Sequence, residues 1–202
     1  MPGHLTLVTE DLPSEALAHR LLSYIDPDVT FTSLGRRGVG YIQNKLRNLN
    51  HAAAGMRIVA IADRDSIQKC PIEMIRSWLG GVNKSPNLIV RMAEMEIESW
   101  ILADREGIAL FLNVPVSRIP QFPDNVADPK QELVNIARLS RTKTIREQMC
   151  PPPGARSVVG PAYNSSIENF VRGSWRPAQA LQNSPSLRRA EQRIRELALR
   201  SV

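Results

Sequence analysis

Two aspartates with one residue between them end an apolar stretch of the chain, residues 57–65 (RIVAIADRD). Residues 58–62 lack a helical period, which predicts a strand buried on both faces of a sheet. Side chains two apart in a strand point the same way, so Asp63 and Asp65 are expected beyond the strand's carboxyl end, where open α/β sheets bind ligands. Paired carboxylates repel each other unless a proton or cation lies between them, and Mg²⁺ or Mn²⁺ is the expected occupant. The alternative is a pair of solvated loop residues, one of which caps the next helix.

A second set of acids follows two other predicted strands. Glu10 comes after the strand predicted at residues 4–9, and three glutamates come directly after the strand predicted at residues 88–92: Glu94, Glu96 and Glu98. If the strand continues through them, all three share a face. If a helix has already begun, Glu94 and Glu98 share a face and Glu96 points away.

Glu98 borders the apolar stripe formed by Ile97, Trp100 and Ile101. A carboxylate beside a buried stripe needs a partner, and a metal ion is one candidate. The alternative is that acids are enriched in a first helical turn because the helix dipole favours them there. Asp104, at the end of the same segment, is expected to be the N-cap of the following helix.

The order of elements predicts an α/β fold with a mainly parallel sheet flanked by helices. Four strands are expected, at residues 4–9, 29–33, 58–62 and 88–92. Helices are expected from residue 13, at residues 41–53, 71–79 and 105–112, after Asp128, and at residues 166–172, 177–182 and 185–200. Residues 1–112 would form the α/β core, and residues 113–202 a basic helical C-terminal region packed on it.

Charge is unevenly distributed along the chain. Residues 136–202 carry 12 Lys and Arg against 4 Asp and Glu, whereas residues 1–135 carry 14 against 16. A basic rear half beside an acidic site suggests a surface for nucleic acid. The candidate phosphate contacts are Arg138, Arg141, Lys143 and Arg146, together with Arg36 and Arg37 in the glycine segment GRRGVG. The alternative is that the arginines only solvate the outer faces of helices.

Composition narrows the class of protein further. The two cysteines, Cys70 and Cys150, lie far apart and match no metal-ligand spacing. No stretch approaches the length of a membrane span, so a cytoplasmic protein without a membrane partner is expected. The oligomeric state stays open.

The acids at the strand ends resemble the TOPRIM fold of topoisomerases, primases and the overcoming-lysogenization-defect nucleases. The segment at residues 96–104 (EIESWILAD) is similar to the E-x-W-x-L-A-D segment of an uncharacterised TOPRIM-like family. Members of that family are often encoded beside an ATPase in anti-phage loci. The resemblance implies an Mg²⁺-dependent nuclease, with an ATPase as a further partner. It assigns Glu10 as general acid/base or metal ligand, Asp63 and Asp65 as metal ligands, and Glu98 as the glutamate of the segment.

The chain departs from that family's pattern at one position and leaves other functions open. The family has a second acid four residues after the first, where this chain has Ser14, and the register that uses Glu15 would require Asp11 as the first acid. No tyrosine stands in a recognisable topoisomerase context, so a metal-bound water is the expected nucleophile. One alternative is a receiver-like phosphoacceptor domain, which needs a Ser or Thr after its fourth strand and a Lys after its fifth; the chain has MAEMEIE after the fourth predicted strand, and no fifth strand with a lysine is evident. The other is a non-catalytic module that binds nucleic acid or a protein partner.

Overall fold

The sheet consists of four parallel strands. The computed structural model describes residues 4–35, 39–63, 70–93 and 97–199. Its strands are β1 (Leu5–Val8), β2 (Phe31–Ser33), β3 (Arg57–Asp63) and β4 (Leu88–Ala93). They are hydrogen-bonded in the order β2-β1-β3-β4, and each neighbouring pair is parallel. The predicted α/β fold with a parallel sheet is therefore confirmed.

Helices connect the strands and form the whole C-terminal region of the described chain. They are α1 (Leu12–Ile25), α2 (Val39–Ala52), α3 (Pro71–Trp78), α4 (Ile97–Leu102), α5 (Arg105–Leu112), α6 (Pro129–Arg138), α7 (Lys143–Met149), α8 (Tyr163–Gly173), α9 (Pro177–Asn183) and α10 (Pro185–Ala198). Helix α7 was not predicted, because only Ile145 and Met149 mark its inner side. None of the helices described is long and apolar enough to cross a membrane.

The central strand β3 buries side chains on both faces of the sheet, as its unbroken apolar run predicts. Ile58, Ala60 and Ala62 join a smaller apolar cluster with α2 and α3. Val59 and Ile61 join a larger cluster with α1 and the C-terminal helices. The alternation follows from the two-residue period of a strand, and it makes the protein a three-layer α/β/α structure.

The C-terminal helices belong to the same core as the sheet. Helix α8 packs on α1, and α10 packs on α1, β3 and β4. The larger cluster contains Trp100 from α4, Leu133 from α6, Trp175 beyond α8 and Leu187 from α10, all fully buried. The basic helices thus present one apolar face to the sheet layer and leave their arginines on the outer face.

Residues 97–104 join the sheet to the C-terminal helices. The Trp100 Nε1–H donates to Ser186 Oγ at the start of α10 (2.7 Å). Asp104 is fully buried and caps α5, as predicted, by accepting from the Gly107 N–H (3.1 Å). The same carboxylate accepts from the backbone N–H of Arg176 (2.8 Å) and from its guanidinium Nη2 (2.6 Å). Asp104 is therefore a structural residue that fastens α9 to α5.

Replacing Asp104 by alanine should lower the free energy of unfolding by about 3 kcal/mol. The change removes one helix cap and the charge-assisted bonds from Arg176. The matched control is Glu106→Ala, because Glu106 also contacts Arg176 (3.3 Å) but its side chain is 74 % exposed. An exposed ion pair contributes little, so this control should change stability by less than about 1 kcal/mol. Equilibrium denaturation in urea measures both variants, and equal losses would contradict the assignment of Asp104.

Candidate functional site

Glu10 and Asp63 meet at the carboxyl edge of the sheet. Glu10 lies two residues beyond β1, and Asp63 is the last residue of β3. The Asp63 N–H donates to Glu10 Oε1 (2.8 Å). In the parallel register this N–H points towards β1, but β1 has already ended. The Glu10 side chain therefore supplies the acceptor that a further backbone carbonyl of β1 would have supplied.

The Asp63 carboxylate also anchors the start of α4. Its Oδ1 accepts from the Ile97 N–H (2.8 Å), one of the N-terminal donors that a helix cannot satisfy by itself. The pKa of the Asp63 carboxyl is raised from 3.8 to about 7, mainly because the group is buried and secondly because the Glu10 carboxylate is near. Lys130 and the bond from Ile97 partly offset these effects. A carboxyl group in this position takes up a proton or a cation near neutral pH.

Glu98 is buried on the first turn of α4, with 1 % of its surface exposed. Its Oε1 accepts from the Tyr163 hydroxyl (3.0 Å) and lies 3.6 Å from Lys130 Nζ. The partners that the structure shows for this carboxylate are therefore protein groups, where the sequence suggested a metal ion as one candidate.

Lys130 stands between the two acidic positions. Its ammonium contacts Glu98 and lowers the pKa of Asp63 by electrostatic attraction. It is the second residue of α6, directly after Pro129 and the N-cap Asp128. Sequence reasoning missed Lys130, although a cation in the first turn of a helix opposes the helix dipole and is a signal that something else holds it there.

The structure separates the two possible first acids after β1. Asp11 is the N-cap of α1, and its Oδ1 accepts from the Ser14 N–H (2.9 Å). Glu15 is buried within α1, 3.7 Å from His19 Nε2. Glu10, by contrast, contacts the backbone of Asp63 itself, so the register that begins at Glu10 is the one that reaches β3.

Several predicted site residues lie outside the described residues. They are Asp65, Glu94, Glu96, Arg36 and Arg37. Gly35, which begins the glycine segment, packs so closely on Thr9 that a Cβ atom would lie 2.6 Å from Thr9 Oγ1. This contact places the start of the segment beside the residue that precedes Glu10.

The predicted basic contacts occupy the far end of α6, the loop after it and α7. Arg138 lies eight residues after Lys130 in the same helix, which places it about 12 Å further along the helix axis. Arg146 Nη1 donates to the Ser140 carbonyl (2.5 Å), and the exposed Lys143 lies 3.6 Å from Glu147. Among the described acids at this edge, Glu98 contacts Lys130, and the charge of Lys130 acts on Asp63.

The acids that the structure describes do not by themselves make up a metal site. Within residues 4–35, 39–63, 70–93 and 97–199, no group of three or more Asp, Glu, His or Cys side chains is placed to hold a metal ion. Glu10 and Asp63 nevertheless supply the hard oxygen donors that Mg²⁺ prefers, and the raised pKa of Asp63 shows that the pair favours added positive charge. The donor chemistry fits a divalent cation that takes further ligands from water or from the substrate.

Comparisons with known proteins add no relative. No protein-family model, curated protein or solved structure matches the chain. The side chains at this edge of the sheet therefore carry the functional assignment.

The burial of Asp63 should make stability depend on pH. Because folding raises its pKa, the neutral carboxyl is the favoured form, and its contribution is lost as the pH rises from 3.8 towards 7. Relative to the uncharged variant Asp63→Asn, the wild-type protein should lose about 3 kcal/mol of unfolding free energy between about pH 4.5 and about pH 7.5. Urea denaturation across this range measures the difference.

Two controls belong to this measurement. The exposed Glu106→Gln variant should show a constant difference from wild type over the same range. Added Mg²⁺ should restore stability to the wild-type protein at the upper end of the range and have little effect on Asp63→Asn. A flat difference between wild type and Asp63→Asn would contradict the burial of this carboxylate against Glu10.

Proposed function

We propose that the chain is a metal-dependent nuclease that hydrolyses phosphodiester bonds at the carboxyl edge of its sheet. The observation that carries the proposal is the Glu10–Asp63 pair: the Glu10 carboxylate accepts from the Asp63 N–H, and burial together with the Glu10 charge raises the pKa of the Asp63 carboxyl to about 7. A divalent cation relieves this repulsion at the pH of a cell, and nucleic acid is the polyanion that suits a basic surface nearby. The resemblance to TOPRIM-fold nucleases, with an ATPase partner and a role in anti-phage defence, is part of the same proposal.

In this proposal Glu10 and Asp63, with Asp65, hold Mg²⁺ or Mn²⁺. The bound cation supplies a Lewis acid for the phosphate and lowers the pKa of the attacking water. Glu10 would also accept the proton of that water, and its contact with the Asp63 backbone at the end of β1 supports this role.

Lys130 is proposed to bind the phosphate oxygens of the substrate. Its charge acts on Asp63 and its side chain is 28 % exposed, so a phosphate can approach it from solvent. Glu98 and Tyr163 orient this lysine from the buried side. The cluster on α6 and α7, Arg138, Arg141, Lys143 and Arg146, would contact phosphates further along the strand, and Arg36 and Arg37 would do so from the glycine segment.

A nicking assay on supercoiled plasmid and a cleavage assay on labelled RNA, each with Mg²⁺ or Mn²⁺, test the function. Asp63→Asn and Glu10→Gln should each lower the cleavage rate by about 100-fold or more, because each removes a group that acts on the reacting phosphate or water. Lys130→Met should lower it by about tenfold to 100-fold, as expected for a supporting contact. The matched control Glu106→Gln neutralises an exposed acid away from this edge and should cleave at the wild-type rate.

Either of two results would contradict the nuclease proposal. If wild-type protein of verified purity cleaves neither substrate with either cation, or if Asp63→Asn cleaves as fast as wild type, the nuclease assignment is wrong. Circular dichroism and urea denaturation of each variant separate a lost activity from a lost fold.

A phosphoacceptor domain is the second candidate. The specific observation in its favour is that Asp63 is influenced by Asp11 and Glu10 after β1 and by the amine of Lys130, which is the environment a phosphorylated aspartate requires. Incubation with acetyl phosphate and Mg²⁺ would transfer the phosphoryl group to an Asp63 oxygen and release acetate. Mass spectrometry would detect the acyl phosphate in the wild type and not in Asp63→Asn, whereas a nuclease should acquire no such adduct.

A further inference from the structure

Strand β4 is the outer strand of the sheet on the side of α3. In the parallel register, Ile58 pairs with Leu88, and the Ile58 N–H donates to the Asn87 carbonyl (2.8 Å). In this register the backbone N–H and C=O groups of Ile89 and Arg91 point towards β3, and those of Val90 and Met92 point away from it. Within the described residues, no strand pairs with this outer edge.

The residues before Val90 already have local backbone partners. The Leu88 N–H donates to the Ser85 carbonyl (3.1 Å), and the Leu88 carbonyl accepts from Lys84 Nζ (2.6 Å). The open part of the edge therefore begins at Val90. It is short, as the edges of stable sheets tend to be, and a strand can be added there.

A groove of about 410 Å³ lies along this edge. One wall is a stripe on α3 at helical spacing: Ile72, Ile75, Arg76 and Leu79. Residues 89–91 of β4 line the other side, and residues 81–84 close one end. Ile72 is 66 % exposed, so α3 presents apolar surface to the groove that the core does not use. Apolar walls beside open backbone donors and acceptors match the side chains and the backbone of an extended peptide.

The groove is cationic. Among the described residues that line it, three are basic, Arg76, Lys84 and Arg91, and none is acidic. Within the described residues, the buried Nε of Arg91 has no hydrogen-bond acceptor. Burial disfavours the charge of Arg91, and Arg193 and Arg189 on α10 disfavour it further. Glu196 favours that charge but is itself paired with Arg193 (2.9 Å).

We propose that this groove binds an acidic, extended segment of a partner protein, which pairs with the outer edge of β4 as an additional strand. Side chains of an added strand alternate between its two faces, so its apolar side chains would lie against the α3 stripe and its carboxylates would face Arg91 on the side of α10, with the charge of Arg76 in the same groove. A second copy of the chain is a poor occupant, because pairing two β4 edges would bring the same arginines together. Nucleic acid could contact the arginines but would leave the apolar wall and the open peptide groups without partners.

The test uses a synthetic peptide of about eight residues that alternates glutamate and valine, a length suited to one strand. The peptide carries a neutral fluorophore, and its anisotropy is followed as the full chain is added. Saturable binding is expected, and a peptide with lysine in place of glutamate should not bind. The variant Arg76→Glu should weaken binding by about tenfold or more, because it places a like charge in the groove. The matched control Arg118→Glu reverses an equally exposed charge far from β4 and should bind normally.

Backbone pairing is tested separately from charge. N-methylation of alternate peptide bonds gives two isomeric peptides, of which one blocks the edge that faces β4 and the other blocks the outer edge. Only the first should lose binding, and hydrogen exchange at Val90 and Met92 should slow when the unmodified peptide is bound.

Three results would overturn the proposal. One is the absence of saturable binding of the acidic peptide, or equal binding by wild type and Arg76→Glu. Another is an equal effect of both N-methylated isomers. The last is evidence for another occupant while the acidic peptide does not bind. Loss of affinity for a single-stranded oligonucleotide in the Arg76→Glu variant would indicate nucleic acid. Loss of self-association of that variant in sedimentation would indicate a second copy of the chain. None of these measurements depends on nuclease activity.

Discussion

A parallel sheet must be covered on both faces, and this constraint organises the whole molecule. Each strand is joined to the next by a helix that crosses back over the sheet, and all four strands therefore end at the same edge. Helices α2 and α3 cover one face with a small cluster, and α1 covers part of the other. The C-terminal helices cover the rest of that second face. The region at residues 113–202, which the sequence suggests is a basic extension, therefore contributes a large part of the apolar core.

The same constraint sets up the chemistry of the edge. Strand β1 ends at Val8, and three residues separate it from α1. The Asp63 N–H therefore has no backbone acceptor in β1 and donates to the Glu10 side chain. Asp63 in turn satisfies the first N–H of α4. The ends of β1, β3 and α4 thus hold the two acids in place. In this position the negative charge of Asp63 is disfavoured by burial and by the Glu10 carboxylate.

Much of the fold could be predicted from the sequence, because its signals are local. The apolar run at residues 58–62, the prolines at helix starts and the N-cap at Asp104 each act within a few residues, and each appears in the structure as expected. The closeness of Glu10 to Asp63 also follows from local rules, since both residues end parallel strands. Lys130 and Tyr163 could not be found in this way, because they reach Glu98 from helices more than thirty residues away and no pattern in their own segments requires it.

Two hydrogen bonds tie earlier parts of the chain to α10. Trp100 donates to Ser186, and the Arg57 guanidinium donates to the Ala198 carbonyl (3.3 Å). The core is therefore complete only when α10 is present. A ribosome therefore releases β3 and α4 well before the surface that covers them has been made. Until α10 emerges, Trp100 and its apolar neighbours stay accessible to chaperones and to other nascent chains. Contacts between residues so far apart in sequence also slow folding, since the loop between them must be ordered first. The sheet and the C-terminal helices thus gain their stable form together, as one unit, once α10 has been made.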